Sequence, residues 1–268
     1  MRRVKGFTII ELLVVISVIA LLMAILLPAL QRVKRQANAV VCQSNLRQWG
    51  FCFKMYTDDN DGRFSNVSLD KYRWYSILSP YHSDNNDLLL CPMATKYVDN
   101  PWWQGGKFSA WAWTEVEFDL SHLSSRPQLT SYAIYGSYAV NGWIFDLNWE
   151  PVAEFLEYPY WEGVFVKGTN NIPVCLDCAW MIQKPRDLDA PPAYDDIIDG
   201  PNMSCLCINR HNGGINSLFM DWSVRKVGLK ELWTLKWHRN FDTAGPYTRA
   251  GGMMSEDWPE WMRNFRDY

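Results

Sequence analysis

Three sets of residues in this chain have types and spacings that could do chemistry. The first is a single carboxylate, Glu11, in an otherwise apolar run from Phe7 to Leu30. A charge there costs roughly 2.5–3.5 kcal/mol at a bilayer centre. Cleavage after Gly6 would expose an α-amine on Phe7, with a reference pKa of about 7.7–8.0. That amine can pair with Glu11 along one helix face, or with Glu11 of a neighbouring subunit, which would make the cost of burial depend on assembly. The second set is seven cysteines, Cys42, Cys52, Cys91, Cys175, Cys178, Cys205 and Cys207. The third is His211 and Asp221. A histidine oriented by an aspartate is half of an acid–base or nucleophilic system. No nucleophile in a GxSxG elbow accompanies them, so the pair reads as a hydrogen-bonded brace across a hairpin, and the chain reads as a non-enzyme.

The cysteines admit three readings. In an oxidising compartment disulfides are favoured among Cys42, Cys91, Cys175, Cys178, Cys205 and Cys207, and the odd total leaves at least one thiol over. Cys175-x-x-Cys178 with Cys205-x-Cys207 could instead make a four-thiolate zinc site, although C-x-C is tighter than the usual ligand gap. Inert buried thiols are the third reading.

The elements that must position these residues follow from pattern. Arg2, Arg3 and Lys5 precede an apolar run of 24 residues, long enough as a helix to span a bilayer core with some tilt. The small residue Gly6 comes before the apolar run, so processing there leaves the hydrophobic helix on the mature protein, unlike an ordinary secretory signal. The helix is expected to continue: Cys42, Leu46, Trp49, Phe53 and Tyr56 recur at spacings of four and three, which marks one buried face. Asp58-Asp59-Asn60-Asp61-Gly62 then supplies turn chemistry that stops it. Beyond residue 62, Ser131–Val140, Gly163–Val166, Ile172–Leu176 and Ile215–Met220 read as strands, and Leu229–Trp237 and Trp258–Phe265 carry the next helical patterns. The expected fold is α+β: a long N-terminal helix, transmembrane then amphipathic, packed on an antiparallel sheet domain with long loops. The expected segments are a leader at 1–6, a transmembrane helix at 7–30, its amphipathic extension at 31–57 and a globular domain at 62–268.

Lys5-Gly6-Phe7-Thr8-Ile9-Ile10-Glu11-Leu12-Leu13-Val14-Val15-Ile16 resembles the processing site of type IV prepilins and type II secretion pseudopilins. The resemblance covers about the first 35 residues. It implies that a membrane prepilin peptidase cuts between Gly6 and Phe7 and methylates Phe7, and that Glu11 contacts the N-terminus of the adjacent subunit during filament assembly. Pro28 falls where family members carry a helix-bending proline; any interior proline removes one backbone hydrogen bond and bends the rod. A second stretch, His211-Asn212-Gly213-Gly214-Ile215-Asn216-Ser217-Leu218-Phe219-Met220-Asp221, resembles the H-X9-DG motif of a pseudopilin-like family, with Trp222 standing where that family has glycine. Cys42-x-Ser44-Asn45-Leu46-Arg47-Gln48 and Cys91-Pro92 are similar to the same group. Major pseudopilins often hold calcium in an acidic loop. The candidate oxygens here are Asp189, Asp195, Asp196 and Asp199, although none has EF-hand spacing and solvated loop acids are the plainer account; no other cofactor is implied.

Charge and aromatic content bound the partners. Loss of Arg2, Arg3 and Lys5 with the leader takes the formal charge from −3 to −6, which argues against nucleic acid. Arg32, Lys34 and Arg35 balance the leader, so it is the resemblance that places the C-terminal domain outside the cytoplasm, on a single-pass protein of the inner membrane. The implied partners are prepilin peptidase, other pilin or pseudopilin subunits, an inner-membrane assembly platform and membrane lipid. Secretion pseudopilus and pilus are equally open. Fifteen tryptophans, among them Trp102, Trp103, Trp111, Trp113, Trp143, Trp149 and Trp161, support an alternative reading. In it the chain is a monomeric membrane-anchored extracytoplasmic module that binds polysaccharide on an exposed aromatic platform.

Overall fold

The computed structural model describes residues 9–64, 74–83, 85–96, 104–118, 129–145, 160–195 and 202–268. Helix α1 runs Ile9–Asp59 without interruption through Pro28. Its portion through Asn38 belongs to one compact unit and everything from Ala39 onward to a second. In the first unit every described residue up to Ala37 is exposed, although most are Ile, Leu or Val. Among the described residues none covers this face, and water is a poor solvent for it. The segment is long and apolar enough to cross a membrane. The Ser17 hydroxyl donates to the Val14 carbonyl at 2.8 Å, so its polar group is satisfied within the helix.

In the second unit α1 buries Cys42, Leu46, Trp49, Gly50, Cys52, Phe53 and Thr57, the face expected from the spacing, with Tyr56 half-buried at its edge. Gly50 lets the helix lie close to the sheet, since a Cβ there would stand 2.9 Å from Leu218. The helix ends as the turn chemistry requires. Asp61 and Gly62 take φ of 54° and 74°, and the Gly62 amide returns to the Thr57 carbonyl at 2.8 Å. Two single-turn helices, α2 (Trp74–Ile77) and α3 (Ser79–His82), follow.

Strands β1 (Trp111–Phe118) and β2 (Leu129–Gly136) form a two-stranded antiparallel sheet. A second sheet takes β3 (Tyr138–Asn141), β4 (Pro173–Asp177), β5 (Ile182–Gln183), β6 (Gly214–Phe219) and β7 (Val224–Gly228) in the order β5-β3-β4-β6-β7. All its pairings are antiparallel except β3 with β5. β4 and β6 are buried along their whole length, as central strands with both faces covered should be.

Several expectations need correction. Ser131–Val140 is not one strand, because the chain leaves β2 at Ser137 and starts β3 in the other sheet. Gly163–Val166 is not a strand: the Val164 amide donates to the Gly62 carbonyl at 2.9 Å, which ties it to the end of α1. The helices expected at Leu229–Trp237 and Trp258–Phe265 shrink to short 3₁₀ segments at Lys230–Thr234 and Glu260–Met262. Bulky aromatics fill the spaces between these segments, and side-chain packing there outweighs helix propensity.

The loops are held by indole groups. Trp49, Trp111, Trp143, Trp161, Trp233, Trp237 and Trp261 each donate Nε1–H to a backbone carbonyl: those of Leu88, Tyr138, Pro185, Trp237, Asp189, Leu232 and Pro192 respectively. A loop carbonyl removed from water needs such a donor. The platform residues Trp111, Trp143 and Trp161 are therefore core residues. Trp102, Trp103 and Trp149, and the side chain of Trp113, lie outside the described residues.

His238 is 1 % exposed and packs edge-on against Trp143 and Phe241. Burial, reinforced by the charges of Lys236 and Arg186, lowers its pKa from 6.5 to about 4. The unfolded chain therefore takes up a proton before the folded one. The stability His238 contributes is fully present above pH 6.5 and is lost as the pH falls toward 4. Equilibrium unfolding of the detergent-solubilised chain should weaken over that interval by about 3 kcal/mol more in the parent than in His238→Phe. Parallel pH profiles for the two proteins would count against this assignment.

Candidate functional site

Among the described residues, the densest cluster of reactive side chains lies where β4 ends. Asp177 is the last residue of that strand and is 0 % exposed. A carboxylate cannot stay ionised there without partners, and the chain supplies them from the segment before β6 and from β6 itself. Arg210 Nη1 lies 3.1 Å from Oδ1, His211 Nε2 lies 3.0 Å from Oδ2, and the Asn216 amide donates to Oδ2 at 2.8 Å. The guanidinium uses all of its N–H groups: Nε donates to the Lys107 carbonyl, Nη1 to Asp177 and the Ser137 carbonyl, and Nη2 to the carbonyls of Gly106 and Cys178. Full satisfaction is what makes a buried pair tolerable.

Two thiols complete the cluster. Cys42, on the buried face of α1, has Sγ 3.5 Å from both carboxylate oxygens of Asp177 and accepts from the Tyr138 hydroxyl at 3.4 Å. Cys91 opens the Cys91-Pro92 turn, which closes through the Ala94 amide on the Cys91 carbonyl at 2.8 Å. Its Sγ is 3.4 Å from His211 Nε2.

The electrostatics follow from this packing. Burial works against the charged form of Asp177, but His211 and Arg210 outweigh it and hold the carboxyl well below its usual range. Burial also works against His211 as a cation, and Asp177 overrides it to raise the imidazole from 6.5 to about 9. Burial pushes the Cys42 thiol up, with the Cys91 hydrogen bond and the Asp177 charge adding to it. Cys91 is brought down from 9.0 to about 7, because hydrogen bonds from Cys42 and His211 and the charge of Arg210 exceed its desolvation. A lowered thiol beside a raised imidazole is the makeup of an activated nucleophile. Cys91 and Asp177 are nevertheless 0 % exposed, and a nucleophile must be reached by its substrate. The arrangement can hold a charged group in place.

His211 is therefore braced by Asp177, not by Asp221. The two residues of the motif flank β6 at opposite ends, about 20 Å of extended chain apart. Asp221 is exposed and accepts from the Ser223 amide at 3.0 Å and the Ser223 hydroxyl at 2.6 Å, within the β6–β7 turn. Trp222 takes a φ of 66° there, in the left-handed region that favours glycine. That is the physical reason a glycine suits this position.

All seven cysteines are buried, and each carries a free thiol in this structure. Cys175, Cys178, Cys205 and Cys207 do not gather as four ligands. The Cys178 thiol donates to the Cys205 carbonyl at 3.2 Å, and the Cys207 thiol faces the Met262 sulfur at 3.9 Å. Of the acidic residues suggested for calcium, two lie among the described residues. Asp189 accepts from the amides of Arg186 and Met203, and Asp195 pairs with Lys107; Asp196 and Asp199 lie outside the described residues. Glu11 stands in the first turn of α1, and Gly6 and Phe7 lie outside the described residues.

Comparison with known proteins bears on the N-terminal part. Residues 1–27 match the family described as the prokaryotic N-terminal methylation motif. Over 66 residues the chain is 44% identical to the type IV wide pilus major component PilA4 of Thermus thermophilus, a stretch covering 25% of this chain and 50% of that protein. No solved structure matches the chain significantly. The N-terminal segment is thus prepilin-like, and the chain matches half the length of its pilin relative.

Replacing Asp177 by Asn would leave Arg210 as an uncompensated buried cation, and should cost about 3–5 kcal/mol in chemical denaturation. Asp221→Asn, on an exposed turn, should cost less than about 1 kcal/mol. Equal losses in the two variants would refute this assignment of His211's partner.

Proposed function

We propose that this protein is a pilin-like subunit, cut between Gly6 and Phe7 by a prepilin peptidase, methylated on Phe7 and assembled into a filament of the type II secretion or type IV pilus kind. The observation that carries this reading is a prepilin-type segment running directly into an apolar helix that the chain leaves uncovered through Ala37. Such a surface needs lipid before assembly and neighbouring helices after it. The anchor is a single pass in the inner membrane, with residues 62–268 on the extracytoplasmic side. Glu11 then has a specific task. Its carboxylate is costly in lipid, and pairing with the Phe7 amine of an adjacent subunit on an assembly platform removes that cost in the filament. Pro28 bends the helix within the stack.

The role is structural, and the relative named for its place in a pilus is a component of one. The rival reading, a monomeric module that captures polysaccharide, loses Trp111, Trp143 and Trp161 as contact residues because they lie in the core.

Coexpression with a prepilin peptidase should yield a mature chain whose intact mass corresponds to N-methyl-Phe7. Glu11→Gln should be cleaved and methylated normally, yet its filament yield should fall by about tenfold or more, the effect of losing roughly 1.4 kcal/mol per subunit contact. An uncut parent chain, or undiminished filaments from Glu11→Gln, would defeat the proposal.

A further inference from the structure

The cluster at the end of β4 contains more ligating atoms than a carboxylate–guanidinium brace requires. Two thiol sulfurs, one imidazole nitrogen and one carboxylate oxygen all lie within 4.8 Å of one another. They come from four separate parts of the chain: α1, the Cys91-Pro92 turn, the end of β4 and the segment before β6. Converging four such side chains on one buried point is costly in conformational entropy, and three of the four were not needed to neutralise Arg210.

The spacing fits one ion. Tetrahedral zinc takes sulfur at about 2.3 Å and imidazole nitrogen or carboxylate oxygen at about 2.0–2.2 Å, which puts neighbouring ligand atoms roughly 3.3–3.8 Å apart. The separations here are 3.5 Å from Cys42 Sγ to Asp177 Oδ2, 3.4 Å from Cys91 Sγ to His211 Nε2 and 3.0 Å from His211 Nε2 to Asp177 Oδ2. Small outward shifts would bring the shortest of these edges into range.

Donor type and charge point the same way. Two thiolates with an imidazole select zinc over calcium or magnesium, which prefer oxygen. With both thiols ionised and His211 neutral, three negative charges face Arg210 and a divalent cation, so the buried site is neutral overall. The groups around the quartet also suit a ligated state. Arg210 holds Asp177 Oδ1 and leaves Oδ2 toward the centre, and the Tyr138 hydroxyl supports Cys42 Sγ. His211 Nδ1, which would carry the proton of a ring bound through Nε2, has no hydrogen-bond partner among the described residues.

We propose that Cys42, Cys91, Asp177 and His211 form a closed tetrahedral zinc site that clips α1 to the central strands β4 and β6. With no exposed ligand and no open position the role is structural. The site is distinct from the four-cysteine grouping suggested by CxxC and CxC spacing, and it does not depend on whether the chain builds a filament.

The test uses the full chain, extracted in detergent from zinc-replete cells. Elemental analysis should find one zinc per chain, with Cys42 and Cys91 protected from alkylation until a chelator is added. Cys42→Ser and Cys91→Ser should each lose at least about nine-tenths of the metal, whereas Cys178→Ser and Asp221→Asn should keep it. Because the Cys42 and Cys91 variants could fail to fold, the parent should also be produced in cobalt-supplemented medium, where thiolate-to-cobalt charge-transfer bands with tetrahedral d–d bands are expected. A metal-free parent with a Cys42–Cys91 disulfide in peptide mapping would overturn the proposal. A metal-free parent with both thiols freely alkylated would do so equally, as would a metal lost on Cys178→Ser but kept in Cys42→Ser.

Discussion

A carboxylate without exposed surface at the end of a central strand has to be neutralised where it stands, and Arg210 does this for Asp177 with every donor of its guanidinium engaged. The consequences spread outward from that pair. Its remaining bonds go to the carbonyls of Gly106, Lys107, Ser137 and Cys178, so one side chain fixes the approach to β1, the passage from β2 to β3 and the exit from β4. His211, next in sequence, is carried to the second carboxylate oxygen, and β6 then starts in a register that sets the Asn216 amide on the same oxygen. A buried pair of this kind contributes little net stability by itself. What it contributes is uniqueness: a shifted β4–β6 register would bury an unpaired ion.

Much of this architecture was legible from residue patterns. The spacing Cys42, Leu46, Trp49, Phe53 located the buried face of α1, Asp58–Gly62 located its end, and apolar runs located β4 and β6. The misses have physical causes. Asp177 and Arg210 look like ordinary solvent-facing charges, because the signal for a buried ion pair is a partner distant in sequence, here 33 residues away. A hint lay in Ile172–Leu176, an unbroken apolar run ending in an acid with no turn residue after it. The His211–Asp221 pairing was misjudged because a fixed spacing was read as contact, whereas β6 holds the two ends of that spacing apart. The expected 229–237 helix failed because Trp233 and Trp237 reach carbonyls at Asp189 and Leu232, contacts that a regular helix would not leave in reach.

The tryptophans also explain how a domain with so little regular structure in its second half stays ordered. Where α-helices and sheets are absent, backbone carbonyls lack their usual partners, and each indole offers one donor on a large apolar body. Trp161 and Asn141 meet on a single carbonyl, that of Trp237, and Asn141 also reaches the Pro173 carbonyl at the start of β4. These seven indoles are thus a scaffold for loops.

The position of Cys42 has a mechanical meaning. Following α1 from its N-terminal end, Cys42 is the first residue with no exposed surface. Tension drawn along the helix backbone would enter the folded unit at Ala39, whose carbonyl accepts from Asn216, and would reach Cys42, beside Asp177, before Leu46, Trp49 or Phe53. Interlocked polar contacts at that point would be loaded in shear and would rupture together, while the apolar face behind them would peel one side chain at a time. The chain places a highly cross-connected cluster within one turn of the point where a pull is first felt.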